Sequence, residues 1–380
     1  MTCSTFIESL VFYAGVKSNA NEGRGELSQT SGLLKYNGAQ MQEAKEADRE
    51  RAERRAEGDA EDGAEGGVSV VVPSFNHARF VEQTLRSIFR QTLAPLRLVV
   101  IDDGSKDGSA QIIERVLKDC PFACELIARE NRGLPATLNE GFARTQGDGA
   151  SFFAYLGSDD VWLPEFLAAR VRLLRARRGA VLAYGNAYSV DAGNRIIDCT
   201  TDWARYRDGD VREMLLQTLA PLSPTVLYRR SALARHAWNE QARLEDYELY
   251  LLLSAEGDFA FDPRVLSAWR WHGSNTSGNL KLMLEERLSA QRSAAPALGL
   301  EPGRLARFQS LARFRSAEEF VRQGRKLEAA RLALGSLGGV PSLWEGARML
   351  ARLAVPRGAL KRRRQQARER AASRYGSLEI

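Results

Sequence analysis

Cysteine is scarce in this chain. Only Cys3, Cys120, Cys124 and Cys199 occur among 380 residues, and no two form a Cys-x-x-Cys pair. Histidine is scarcer still, with three residues, and none clusters with the cysteines. These shortages exclude a disulfide framework and a thiolate zinc site, and they fit a reducing cytoplasm. No uninterrupted apolar run approaches the ~20 residues needed to cross a bilayer. The mildly apolar stretch at residues 6–16 has no basic segment ahead of it and makes a poor secretory signal. A nucleic-acid-binding motif is also missing, so no nucleic-acid partner is expected. The protein is therefore expected to be cytoplasmic, either soluble or peripheral on the cytoplasmic face of a membrane.

What is present is enough for a sizeable core: 44% of the residues are hydrophobic and 27% are charged. The net charge of +6 is unevenly spread. Residues 343–374 hold ten basic and two acidic side chains, a local excess of +8 that leaves the rest near neutral. The basicity belongs to the tail rather than to the core.

Residues 1–66 read as a low-complexity extension. From 42 to 66 the chain is dominated by Glu, Arg, Ala, Asp and Gly, and buries too little apolar surface to offset the entropy of ordering. A solvated helix or a disordered segment would both suit it. Regular patterning begins at Val68. Apolar runs at 68–72, 96–101, 125–128, 152–156 and 180–184 predict strands. Between them, residues such as Val81, Leu85, Ile88 and Phe89 recur at helical spacing. Strand–helix alternation predicts right-handed βαβ units and a mostly parallel sheet. Beyond Asn186 the pattern weakens. Helices are expected at 214–219, at 245–253 and through 280–336, with Gly324 breaking a helical hairpin.

Two acidic turns follow apolar runs: Asp102-Asp103-Gly104-Ser105, and Gly157-Ser158-Asp159-Asp160. Carboxylates at strand ends face the crevice where open α/β sheets bind ligands. They suit a divalent metal or a ligand's hydrogen-bond donor. A metal-bound, phosphate-bearing small molecule is the ligand such a pair suggests.

Residues 68–109 read VSVVVPSFNHARFVEQTLRSIFRQTLAPLRLVVIDDGSKDGS. This ordered pattern resembles the start of the family 2 glycosyltransferases of GT-A fold. The resemblance implies a GT-A-type, mostly parallel nucleotide-binding sheet flanked by helices, with a helical C-terminal extension. It divides the chain into an extension (1–66), a glycosyltransferase domain (67–278), a helical extension (279–340) and a basic amphipathic tail (341–380). It further implies that Pro73, Phe75 and Asn76 touch the nucleotide of a nucleotide-sugar donor. Asp103 accepts a hydrogen bond from uracil, as an ionised carboxylate facing a ring N–H can, while Asp102 fixes the turn. Glu130-Asn131-Arg132-Gly133 and Asn139-Glu140-Gly141 resemble the next family segment, where Arg132 faces phosphate or forms part of a surface turn.

Leu156-Gly157-Ser158-Asp159-Asp160 resembles the family's metal motif, commonly Asp-x-Asp-Asp. It departs at Gly157, which lacks the carboxylate that the family sets against the ribose. The resemblance implies Ser158 at the donor, Asp159 as first metal ligand, Asp160 as second, and Mg²⁺ or Mn²⁺ as the ion. Glu245-Asp246 resembles the acceptor-site acid motif. Asp246 is then the base for an inverting transfer, and Glu245 orients the acceptor or raises that base's pKa. Trp269-Arg270-Trp271-His272, with Ser277 beyond, resembles the segment whose histidine completes the metal site or faces the diphosphate. Trp269 and Trp271 stack on a sugar or pack in the core.

The expected acceptor is a saccharide or lipid-linked saccharide, in cell-surface polysaccharide or glycan synthesis. Nucleotidyl transfer on the same fold would call for a glycine-rich, lysine-bearing phosphate loop, and Pro73-Ser74-Phe75-Asn76 is not one. A catalytically silent scaffold, binding membrane or partners through its tail, is the rival from another class. In the tail, Leu343, Trp344, Ala347, Leu350, Ala351, Ala354 and Val355 share a broad helical face, with Arg348 and Arg352 flanking it. That pattern describes an interfacial helix on an anionic membrane surface, or a solvated basic tail.

Overall fold

The structure, a computed structural model, describes residues 66–273 and 278–379. The expected extension up to residue 65 and the Ser277 end of the histidine segment lie outside the described residues.

The first half follows the sequence pattern. It comprises β1 (Val68–Ser74), α1 (Val81–Phe89), β2 (Arg97–Asp102), α2 (Ser109–Leu117), β3 (Cys124–Ala128), α3 (Leu134–Arg144) and β4 (Phe152–Tyr155). The four strands are parallel, in the order β3-β2-β1-β4. Every residue of β1 is buried, as a strand covered on both faces requires. The pleat sends Val70 and Val72 into one core with Leu85, Ile88 and Ile113. It sends Val71 into the other, with Leu138 of α3. On that second face α3 lies very close to the sheet. A Cβ at Gly141 would fall 2.5 Å from Val71 Cγ1, so the helix can settle there only on glycine.

The second half extends the same sheet. It adds β5 (Val161–Trp162), α4 (Phe166–Ala176), β6 (Ala180–Val190), β7 (Ile196–Cys199), α5 (Arg212–Leu216), β8 (Leu227–Arg229), α6 (Arg230–Leu233), α7 (Glu245–Glu256) and β9 (Asp258–Arg270). The nine-stranded order is β3-β2-β1-β4-β8-β6-β9-β5, with β7 on β6. Here the pairing is mixed. β8 is antiparallel to β4 and β6, whereas β6 and β9 are parallel. β5, β7 and β8 escaped the sequence reading because they span only 2, 4 and 3 residues, too few to show a period. β5 pairs antiparallel with the end of β9, Val161 opposite Ala268. That pairing brings the acidic turn after β4 against the residues that follow β9.

The C-terminal helices are α8 (Leu280–Ala294), α9 (Pro302–Arg322), α10 (Lys326–Leu334), α11 (Leu343–Ala354) and α12 (Arg357–Tyr375). Gly324, at φ 78°, breaks α9 from α10. The tail differs from the simple interfacial helix in one respect. Arg348 and Arg352 turn inward, reaching the buried Glu318 of α9 at 3.4 and 3.0 Å, and Arg315 joins them at 3.4 Å. A buried carboxylate needs such partners, and this one outcompetes solvent for them. Leu343 and Trp344 are left outward, 95% and 74% exposed, beside the exposed Leu350. Past α12 the chain returns to the sheet. Leu378 N–H donates to Asn194 O at 2.9 Å, and the Tyr375 hydroxyl donates to Asp202 at 2.8 Å. Among the described residues no helix is long and apolar enough to cross a membrane.

Candidate active site

The strand ends open into a cleft of about 1060 Å³. Pro73, Phe75, Asn76, Asp103, Arg132, Ser158, Asp159, Asp160, Glu245, Asp246 and His272 all line it. Three groups can be distinguished within it by their chemistry.

The first lies beyond β1 and β2. Ser74 pairs with Asp102 in register, so Phe75 and Asp103 emerge side by side. Phe75 is 46% exposed, an aromatic face offered to the cleft. Asn76 holds φ 55°, which asparagine tolerates better than most residues. Its Oδ1 accepts from Lys106 N at 2.8 Å and its own N–H donates to Ser105 Oγ at 2.8 Å, tying the two turns together. The Asp103 carboxylate accepts from the Arg129 guanidinium, from Arg132 N at 2.9 Å and from Gly133 N at 2.8 Å. Arg132 thus approaches Asp103 through its backbone, while its half-exposed guanidinium reaches Glu140 at 3.4 Å. Arg129 was not singled out by the sequence, and no local pattern marks it. Asp102 accepts from Ser105 N at 2.9 Å, closing the turn. Asn139 brackets Trp238, accepting from its N–H and donating to its carbonyl at 2.9 Å each, so its side chain serves packing.

The second group gathers around Asp159. His272 Nε2 lies 2.8 Å from its Oδ2, and His77 Nδ1 lies 3.7 Å from its Oδ1. The ligand atoms of His77, Asp159 and His272 all fall within 4.8 Å of one another. Two imidazoles and a carboxylate with converging lone pairs suit a divalent cation. Ser158 is buried, with its hydroxyl 2.8 Å from His77 Nδ1. Burial lowers the His77 pKa against the pull of Asp159, which favours the neutral ring that a ligand must be. Asp160 faces elsewhere: its Oδ1 accepts from Arg270 N at 2.8 Å. Burial, then the neighbouring Asp159, raise its pKa well above the usual carboxylate range. Arg270 donates to Asp159 O at 2.7 Å and to Gln83 at 2.8 Å, locking the end of β9 to the turn. At Gly157 a Cβ would stand 3.0 Å from Asp159 Oδ1 and 3.3 Å from Asp160 Oδ2, so glycine leaves both carboxylates their room. His77 was missed in the sequence; its only signal is its place next to Asn76.

The third group is the start of α7. Burial raises the pKa of Glu245 to about 8, with the charge of Asp246 the next cause. Burial also raises Asp246, to about 6, against its backbone hydrogen bonds and the opposing charge of Arg287. Near neutral pH the pair then carries one proton and one negative charge between its two carboxyls. A further residue missed by sequence is Glu286 of α8. Its Oε2 accepts from Arg243 N at 2.5 Å and from Leu244 N at 3.2 Å, pinning the chain just before the acid pair. Trp269 and Trp271 also line the cleft, edge to face at 5.6 Å. Such a site can accept a proton from a hydroxyl beside an anionic leaving group.

A family model for glycosyl transferase family 2 matches residues 69–236. An uncharacterised glycosyltransferase of Nostoc sp. is 27% identical over 172 residues, 44% of this chain and 52% of that protein. Chondroitin synthase of Escherichia coli is 23% identical over 236 residues, 62% of this chain and 33% of the synthase. The chain thus spans about half the length of the first and a third of the second. The crystal structure of S. aureus TarS with UDP-GlcNAc superposes with TM-score 0.53 at 16% identity, covering 83% of this chain and 93% of that one. A mannosyltransferase of Pyrobaculum calidifontis, in complex with GDP-Man and Mn²⁺, superposes with TM-score 0.52 at 17% identity, covering 87% and 96%. At such identities the two structures establish a common fold.

Proposed function

We propose, from the premise that this chain belongs to glycosyl transferase family 2 and is a glycosyltransferase, that it moves a sugar from a UDP-linked donor to an acceptor hydroxyl with inversion. The observation that carries this reading is the shared cleft. Asp103, the Asp159 group and the Glu245–Asp246 pair open into one space. In the solved structures of similar fold, TarS holds UDP-GlcNAc and the mannosyltransferase holds GDP-Man, which supports a nucleotide-sugar at this cleft.

The chemistry follows from the residues. Phe75 and Asp103 receive the base, the carboxylate accepting a ring N–H in addition to its three protein donors. Asp246, ionised at neutral pH, accepts the proton of the acceptor hydroxyl. The freed oxygen forms its bond to the anomeric carbon as the bond to the diphosphate oxygen breaks, from the opposite face, so the configuration inverts. Glu245 keeps its proton and spares the base a second adjacent charge. Asp159 and His272 fit a divalent ion, Mg²⁺ or Mn²⁺, which when bound supplies Lewis-acid stabilisation to the departing diphosphate. The acceptor is a saccharide or lipid-linked saccharide, and the exposed Leu343–Trp344 crest with the basic tail rests the enzyme on an anionic cytoplasmic membrane face.

The test is titration of UDP-, GDP- and dTDP-sugars against the wild type and Asp246→Asn, with transfer assayed in parallel. The variant is expected to bind the UDP-sugar as the wild type does and to lose transfer by about 10²–10⁴-fold, the usual worth of a general base. Failure of the wild type to bind any nucleotide-sugar would overturn the reading.

A further inference from the structure

His77 stands one residue past the end of the nucleotide-side strand turn, yet its ring points at the acidic turn after β4. The cause is the register of the sheet. β1 and β4 are parallel neighbours, and β4 ends opposite Val71 while β1 runs on to Ser74, so the turn after β4 passes beside the last residues of β1. β5, which follows the acidic turn directly, lies beside the end of β9. Three strand ends therefore deliver one side chain each to the same point: His77, Asp159 and His272.

The arrangement is held from several sides. The Ser158 hydroxyl sits 2.8 Å from His77 Nδ1, the same nitrogen that faces Asp159, so a cation bound there takes the place of this hydrogen bond. Phe80 stacks on His272 with ring centroids 5.3 Å apart and meets His77 edge-on at 6.3 Å. The two imidazoles meet edge to face at 5.3 Å. They approach different oxygens of Asp159, His272 at Oδ2 and His77 at Oδ1. One carboxylate flanked in this way by two imidazole nitrogens, with all ligand atoms within 4.8 Å, is a donor set that a cation completes.

We propose that His77 is a third protein ligand to the divalent ion, with Asp159 and His272, and that this two-imidazole, one-carboxylate set selects first-row transition ions such as Mn²⁺ over Mg²⁺. This rests on the metal reading given above and adds to it a ligand and a preference. The physical reason is donor chemistry. Mg²⁺ favours oxygen ligands in a near-ideal octahedron and retains its waters, so a site of one or two carboxylates plus phosphate suits it. Imidazole nitrogen suits the transition ions, and replacing a water by a second imidazole penalises Mg²⁺ far more than Mn²⁺.

The experiment uses the full chain and reads metal rather than turnover. Mn²⁺ is titrated by the loss of its free-ion electron paramagnetic resonance signal, with and without UDP, and is then displaced with Mg²⁺. Pulsed measurements on the bound ion count the coupled imidazole nitrogens. The wild type should show two such nitrogens and should need at least 100-fold more Mg²⁺ than Mn²⁺ for displacement. His77→Ala should show one, bind Mn²⁺ at least ten-fold more weakly, and lose most of the discrimination. His77→Asp should regain binding while shifting preference toward Mg²⁺. A single coupled nitrogen in the wild type, or an unchanged Mn²⁺-to-Mg²⁺ ratio in His77→Ala, would overturn the role of His77 and leave the metal reading standing. Binding of neither ion by the wild type, with UDP present, would overturn the metal reading and this inference with it.

Discussion

Replacing Glu245 by Gln should make the fold less sensitive to alkali while keeping the shape of the site. Glu245 is buried at the start of α7, 9% exposed, and its pKa in the folded chain is about 8, against an ordinary value of 4.5. A carboxyl whose folded pKa is raised binds a proton in the native state that the unfolded chain has already released. Its contribution to stability is whole below pH 4.5 and is lost as pH rises through about 8. Each unit of separation is worth about 1.4 kcal/mol. Between pH 5 and pH 8 the wild type should therefore lose about 3–4 kcal/mol relative to Glu245→Gln, whose amide is neutral throughout. Titrations outside the acid pair are common to the two proteins and cancel in the comparison. Urea unfolding at both pH values, followed by tryptophan fluorescence, measures it directly, since Trp203 and Trp238 are buried in the core beside α7. The variant should gain on the wild type as pH rises. A gap between the two that stays the same, within about 1 kcal/mol, at pH 5 and pH 8 would refute the protonated Glu245 and, with it, the one-proton acid pair.

Glu286→Ala removes the carboxylate that holds the amides of Arg243 and Leu244, and so should lower kcat by about ten-fold with donor affinity unchanged. Glu286→Gln, which still accepts a hydrogen bond, should recover much of the loss in steady-state assays. The double change Leu343→Glu and Trp344→Glu places charge on the exposed crest of α11. It should abolish co-sedimentation with vesicles rich in anionic lipid while leaving transfer to a soluble acceptor unchanged, and equal vesicle binding by the two proteins would count against the membrane face.

Much of the catalytic half was legible because its chemistry is local. The apolar runs of β1, β2 and β4 are buried on both faces, so each reads as an unbroken strand and each ends in a motif whose residue types carry their meaning: Pro73-Ser74-Phe75-Asn76, Asp102-Asp103, Ser158-Asp159-Asp160. The acid pair at Glu245–Asp246 heads α7, where acids in a first turn are ordinary, and only the family resemblance singled it out. Of the strands beyond β4 only the start of β6 was legible, since β5, β7 and β8 are too short to declare a period and β9 was not read as a strand.

Long-range pairing decided the rest. His77 and Ser158 are 81 positions apart, so nothing in either neighbourhood announces their contact, and Asp159 and His272, 113 apart, were expected together only through the family resemblance. Arg348 and Arg352 turn inward to a buried acid, Glu318, on another helix. A helical wheel sees only the period of α11, and the period cannot say which polar residues a buried charge will claim. The sequence by itself pointed, through acidic turns at strand ends, to a phosphate-bearing ligand, and the role expected of each side chain came from the family resemblance. Which side chains converge was decided by the tertiary structure, because convergence is a property of neighbouring strand ends and not of the segments that supply them.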